Sequence, residues 1–124
     1  MLKDIVTEAV IEAGNFALSR IGNHGEVRNK SPKDFLTEVD EEAERIIIRR
    51  IKQEFPDAGF YGEESGRHGV GRYLFVIDPI DATTNYIKRI PLFDISVAVY
   101  EGEENILGII SCPKIKELYV SEKG

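Results

Sequence analysis

The sequence predicts an α+β fold in which paired helices pack on a predominantly antiparallel sheet. Three observations lead there. Two stretches near the amino terminus repeat apolar residues at intervals of three and four, a series of short apolar runs separated by turn residues follows them, and the helices precede the strands instead of alternating with them.

The first helix is read from Leu2, Ile5, Val6, Ala9, Val10, Ala13, Phe16 and Ala17 on one side and Asp4, Glu8, Glu12 and Asn15 on the other, ending near Ile21 and Gly22. His24 to Lys33 reads as a loop with one short strand through Val27 and Arg28, because glycine-flanked polar turns and Ser31-Pro32 interrupt it. Thr37 and Asp40 have capping-box spacing, so a second helix is expected from there through Val39, Ala43, Ile46, Ile47, Arg50 and Ile51 to about Phe55, where Pro56-Asp57 stops it.

A short strand at Ala58 to Tyr61 leads into Gly62-Glu63-Glu64-Ser65-Gly66 and a polar loop, expected to be mobile, that reaches Arg72. Tyr73 to Ile77 is apolar without alternation, which predicts a strand covered on both faces and ending at Asp78-Pro79. Asp81 to Arg89 is expected to hold a turn or short helix. Ile95 to Tyr100 and Ile106 to Cys112 then read as hairpin strands, with one more at Leu118 to Val120.

The 124 residues suit one folded unit or part of a larger one. Net charge is −6, which disfavours a nucleic-acid partner. The acidic excess is confined to residues 34 to 64, which carry −6, against +1 before them and −1 after. No run nears the roughly 18 apolar residues of a membrane span, and the charged amino terminus does not resemble a signal peptide, so no membrane partner and a cytoplasmic location are expected. Cys112 is the only cysteine and is expected to act as a small core hydrophobe.

The chemistry-bearing residues are acids. Asp78 and Asp81 flank Pro79-Ile80 at the end of the apolar strand, a favoured place for a binding crevice, and Glu63 and Glu64 follow another strand. Carboxylates held close in such a crevice need a compensating cation, and Mg²⁺ fits because it takes oxygen ligands alongside substrate phosphate. The Ile80 carbonyl would add a neutral oxygen. Against this stand plainer roles: Asp78 and Asp81 as turn and cap acceptors, Glu63 and Glu64 as a solvated loop, Thr83 as a helix cap, Asp40 as the capping-box acid and Lys30 as a solvated lysine. Asp81-Ala82-Thr83-Thr84 also resembles a helix start, whose free N–H groups could hold phosphate.

In these motifs the chain resembles the inositol monophosphatase superfamily, including archaeal-type fructose-1,6-bisphosphatases and 3′-phosphoadenosine 5′-phosphate phosphatases. Asp34-Phe35-Leu36-Thr37-Glu38-Val39-Asp40 resembles the family's early Asp and Thr-x-x-Asp region, Gly62-Glu63-Glu64-Ser65 its acidic loop, and Asp78-Pro79-Ile80-Asp81-Ala82-Thr83-Thr84-Asn85 its main metal and phosphate motif. The resemblance implies that the fold is the amino-terminal metal-binding domain of the sugar phosphatase fold. It implies that Glu63, Asp78 and the Ile80 carbonyl hold one Mg²⁺ and that Asp78 and Asp81 share a second. Thr83 supported by Asp40 would position the attacking water, Ala82 and Thr83 would bind phosphate, Glu64 would orient the metal shell, and Lys30 would act electrostatically.

The implied substrates are small sugar or cyclitol phosphates, first inositol-1-phosphate and fructose-1,6-bisphosphate, in a parent expected to be a homodimer. The nucleotide-phosphate branch and an inactive metal- or phosphate-binding subunit are the alternatives. Two departures from the pattern stand out. Ala82 occupies a position usually held by glycine, and the chain corresponds to the amino-terminal half only, without the carboxy-terminal domain and its late third metal aspartate.

Overall fold

The computed structural model describes residues 1–21, 27–31, 34–81 and 93–123, with side chains described for 1–21, 38–80 and 93–123. Helix α1 spans Leu2–Ser19 and α2 spans Glu38–Glu54. Between them β1, Val27–Ser31, and β2, Asp34–Thr37, form an antiparallel ribbon. The second helix therefore follows a strand directly. The capping-box pattern at Thr37 located the helix start but gave no sign of the strand before it.

The main sheet has six strands: β3 (Gly59–Gly62), β4 (Gly66–His68), β5 (Tyr73–Asp81), β6 (Asp94–Glu101), β7 (Glu104–Cys112) and β8 (Glu117–Glu122). Their order is β4-β3-β5-β6-β7-β8, and every pairing is antiparallel except β3 with β5. Strand β4 lies in the stretch expected to be a mobile polar loop. Its short polar sequence lacks an apolar face, yet pairing of Phe60 with His68 and Tyr61 with Arg67 satisfies its backbone. At the β6–β7 hairpin, Gly102 takes φ 65°, a conformation that a side chain disfavours.

Both helices cover the same sheet face. Val6, Val10 and Ala13 of α1 and Ala43, Ile47 and Ile51 of α2 pack with Phe60, Phe75, Ile77, Val97, Val99 and Ile109. Successive strand residues point to opposite faces, so Phe75 and Ile77 enter this core while Leu74 and Val76 on the other face are only half-buried. The expectation that β5 is covered on both faces is thus not met among the described residues. A groove of about 390 Å³ crosses the opposite face, lined by Val76, Asp78, Ser96, Ala98, Ile110 and Tyr119 among others.

Strand β5 also runs past its expected end. Asp78 pairs with Ser96 and Asp81 with Asp94, so three steps on β5 match two on β6 and a bulge lies at Pro79-Ile80. Proline cannot donate to the ladder, and a bulge tolerates that loss without ending the strand. The interruption of alternation lets Pro79 and Ile80 be buried in succession. Ile80 joins Ala17, Val39 and Phe93 in a second small core, tying together the ends of α1 and β5 and the starts of α2 and β6.

Candidate metal and phosphate site

The parallel pairing of β3 and β5 builds the site. Gly62 registers with Ile77, and the Glu63 N–H donates to the Ile77 carbonyl at 3.2 Å. One residue further along each strand stand Glu63 and Asp78. Glu63 therefore leaves β3 at its carboxyl end beside Asp78, which lies on β5 just before the bulge, near the strand ends where open sheets bind ligands. Parallel strands lie about 4.8 Å apart, so the two carboxylates are within reach of one small ion.

The remaining candidates fall into two groups. Asp40 is 1% exposed in the first turn of α2, and its neighbour Val39 packs with Ile80, so that turn abuts the end of β5. Glu64 is half-buried in the turn after β3. The Asp81 backbone pairs with Asp94 and Lys30 lies on β1, but their side chains, together with Ala82, Thr83 and the turn or helix expected over Asp81 to Arg89, lie outside the described residues. Among the described residues, no three His, Cys, Asp or Glu side chains form a ready metal cluster. The candidate donors, the Glu63 and Asp78 carboxylates and the Ile80 carbonyl, are all hard oxygens and fit Mg²⁺ in kind.

Glu44 is a site residue that sequence reasoning overlooked. It is 2% exposed on α2 and accepts hydrogen bonds from the Glu64 N–H at 3.0 Å and the Ser65 N–H at 2.9 Å. A signal for it was present: Asp40, Glu44, Ile47 and Ile51 follow one helical stripe, and all four are buried. An acid on a stripe that continues into the core needs donors, and the acidic turn supplies them.

Cys112 departs from its expected role. It is half-buried, and its thiol donates to the Asp94 carboxylate at 2.8 Å. That bond to a charged acceptor, reinforced by burial and by the nearby Asp94 and Glu117 charges, pushes the thiol up to about 11 from an ordinary 9.0. The associated stabilisation is complete below pH 9 and fades as pH rises through 11. Because the thiolate is the nucleophile, Asp94→Asn is expected to speed iodoacetamide alkylation at pH 8 by about 10- to 100-fold. Mass spectrometry against time measures this, and equal rates would contradict the assignment.

Comparison with known proteins agrees with the fold and the motifs. The model of the inositol monophosphatase family matches residues 2–124. The chain is 37% identical over 123 residues to Nus factor SuhB of Xylella fastidiosa, covering 98% of this chain and 45% of that protein. It is 35% identical over 130 residues to inositol-1-monophosphatase of Mesorhizobium japonicum, covering 99% and 48%. The crystal structure of extragenic suppressor protein suhB from Bartonella henselae superposes with a TM-score of 0.94 at 30% identity, over 99% of this chain and 49% of that one. The chain spans about half the length of the curated relatives it matches, and no helix among the described residues is long and apolar enough to cross a membrane. With a shared α+β fold and the acidic motifs in order, the chain belongs to the inositol monophosphatase family, of which it matches the amino-terminal half.

Proposed function

We propose that this chain is the metal-binding half of a Mg²⁺-dependent phosphomonoesterase that hydrolyses a small sugar or cyclitol phosphate. The observation that carries the reading is the parallel register that sets Glu63, at the carboxyl end of β3, beside Asp78 on β5. Two carboxylates repel each other there, and a divalent cation converts that repulsion into binding.

Glu63, Asp78 and the Ile80 carbonyl are the ligands we assign to one Mg²⁺, and Asp78 with Asp81 those of a second. When bound, Mg²⁺ supplies a water of lowered pKa and neutralises phosphoryl charge. The chain's own residues do the rest. Thr83, backed by Asp40, orients the attacking water, main-chain N–H groups at Ala82 and Thr83 hold the phosphate, Glu64 steadies the acidic shell, and Lys30 adds positive potential. The water oxygen bonds to phosphorus, the ester P–O bond breaks, and the alcohol leaves with a proton.

Relatives named inositol-1-monophosphatase, fructose-1,6-bisphosphatase/inositol-1-monophosphatase and histidinol-phosphatase define the substrate panel. Inositol-1-phosphate and fructose-1,6-bisphosphate are our first choices, in a cytoplasmic, homodimeric parent. The relatives named Nus factor SuhB favour one second reading, a metal- or phosphate-binding subunit whose work is assembly.

Isothermal titration of Mg²⁺ into the 124-residue chain, paired with a phosphate-release assay, tests the proposal. Weak Mg²⁺ binding and little turnover are expected, and Asp81→Asn is expected to weaken binding by at least about tenfold, since loss of a ligand should cost no less than loss of its supporting partner. A chain with no affinity for Mg²⁺, or an Asp81→Asn variant that binds like the parent sequence, would defeat it. Metal binding without phosphatase activity after the chain is joined to the carboxy-terminal half of a relative would favour the assembly reading.

A further inference from the structure

We infer that Glu44 is a positioning residue for the acidic turn, holding the backbone from Glu63 to Ser65 so that Glu63 is presented beside Asp78. Three successive N–H groups of that turn are committed. Glu63 donates to the Ile77 carbonyl of β5 at 3.2 Å, while Glu64 and Ser65 donate to the two carboxylate oxygens of Glu44 on α2 at 3.0 and 2.9 Å. The turn is therefore clamped from two elements at once. One is the strand that carries Asp78, and the other is the helix that carries Asp40 one turn before Glu44.

The clamp has little room for error. A Cβ on Gly62 would lie 2.5 Å from the Glu44 carboxyl carbon and both its oxygens, so the carboxylate occupies the space that a side chain at position 62 would need. Glycine at 62 and glutamate at 44 are thus two halves of one contact. The pair explains why the turn can leave β3 directly over α2. Glu44 itself is buried, with both oxygens turned to the peptide N–H groups, and so serves the turn's geometry and not the ion.

Glu44→Gln tests this without altering side-chain volume. The amide keeps one acceptor, but its NH₂ faces the second backbone N–H, where donor opposes donor. Two readouts are taken from the 124-residue chain at a temperature where circular dichroism shows full folding. The first is amide hydrogen exchange by NMR at Glu64 and Ser65, expected to accelerate at least about tenfold while the α1 amides are unchanged. The second is Mg²⁺ affinity by titration, expected to fall about 10- to 100-fold, as it does when a ligand's support is removed. Ile47→Val, a mild truncation in the hydrophobic core on the same helix, controls for general destabilisation and should leave affinity unaltered.

Wild-type exchange at Glu64 and Ser65 in Glu44→Gln would overturn the inference, as would unaltered affinity in a chain that binds Mg²⁺. Should Glu44→Gln fail to fold, Gly62→Ala displaces the same carboxylate from the other side and is judged by the same two readouts. The link to the metal rests on the proposed function. If the unmodified chain binds no Mg²⁺, that reading falls and the exchange rates alone decide whether Glu44 holds the turn.

Discussion

Asp78→Asn is expected to lower Mg²⁺ affinity by more than about 100-fold, beyond the 10- to 100-fold typical of losing a supporting residue, because Asp78 is the one ligand assigned to both metal positions. The residue stands at the last regular position of β5 before the bulge, half-buried and opposite Ser96, with Glu63 directly after the neighbouring parallel strand. Asparagine keeps the volume and one oxygen but removes the charge that makes a hydrated divalent ion exchange water for protein.

The same substitution should act in the opposite direction on the metal-free chain. Two acids at neighbouring backbone positions repel each other, so neutralising one removes a cost of about 0.5–1 kcal/mol at the high effective dielectric of a partly exposed site. The metal-free thermal midpoint is therefore expected to stay level or rise by a few degrees. Only the increase that Mg²⁺ confers on the unmodified chain, about 2.7 kcal/mol at 100 times Kd, should vanish. Differential scanning calorimetry with and without Mg²⁺ reads both effects. A variant destabilised without metal yet still stabilised by it would show that Asp78 is a structural cap acceptor, the plainer role its position allows.

How far the sequence reveals this arrangement depends on what each residue had to signal. Both helices were legible because Val6, Val10 and Ala13, and likewise Ala43, Ile47 and Ile51, repeat at helical spacing and all enter one core. Strands β6 and β7 are legible as two β-rich apolar runs joined by a hairpin-like polar turn with Gly102. Strand β4 was not, because Gly66-Arg67-His68 owes its conformation to Phe60 and Tyr61 across the ladder and carries no pattern of its own. Leu74 and Val76 suggested two covered faces, yet an apolar run alone does not reveal whether a second layer lies over it.

The site divides along the same line. The acidic motifs mark Glu63 and Asp78 as candidates, but their juxtaposition depends on β3 pairing in parallel with β5, a long-range contact that no local pattern encodes. Glu44 was hidden for a different reason. On a helix, an acid flanked by Ala43 and Arg45 reads as solvent-facing until the buried stripe through Asp40, Ile47 and Ile51 is traced. Cys112 reads as a core hydrophobe because nothing near it in sequence announces that Asp94 lies across the hairpin.

Phe75→Ala is expected to cost about 3–5 kcal/mol, the usual range for truncating a fully buried phenylalanine. Phe75 is completely buried in β5, between β3 and β6. Its ring stacks on Phe60 at 5.6 Å between centroids and lies against Phe55 at 6.0 Å and Tyr73 at 6.3 Å, so truncation opens a void among side chains from β3, β5 and the residue just after α2. Collapse around that void is limited because β5 is pinned by hydrogen bonds on both edges and Phe60 is itself fully buried. Against the 5–15 kcal/mol of a typical domain, such a loss should lower the thermal midpoint by about 10–20 °C. The consequence for the site is indirect but measurable. Phe75 pairs with Phe60 two register positions before Gly62 meets Ile77, so the ring contact helps set the parallel register that brings Glu63 beside Asp78. Where the variant remains folded, Mg²⁺ affinity should fall by far less than in Asp78→Asn, because every ligand is present and only its support is loosened. Urea unfolding and Mg²⁺ titration on the same preparation check both parts. A cost below about 1 kcal/mol would show that the aromatic layer is not the keystone of the sheet, since buried phenylalanine truncations rarely cost so little.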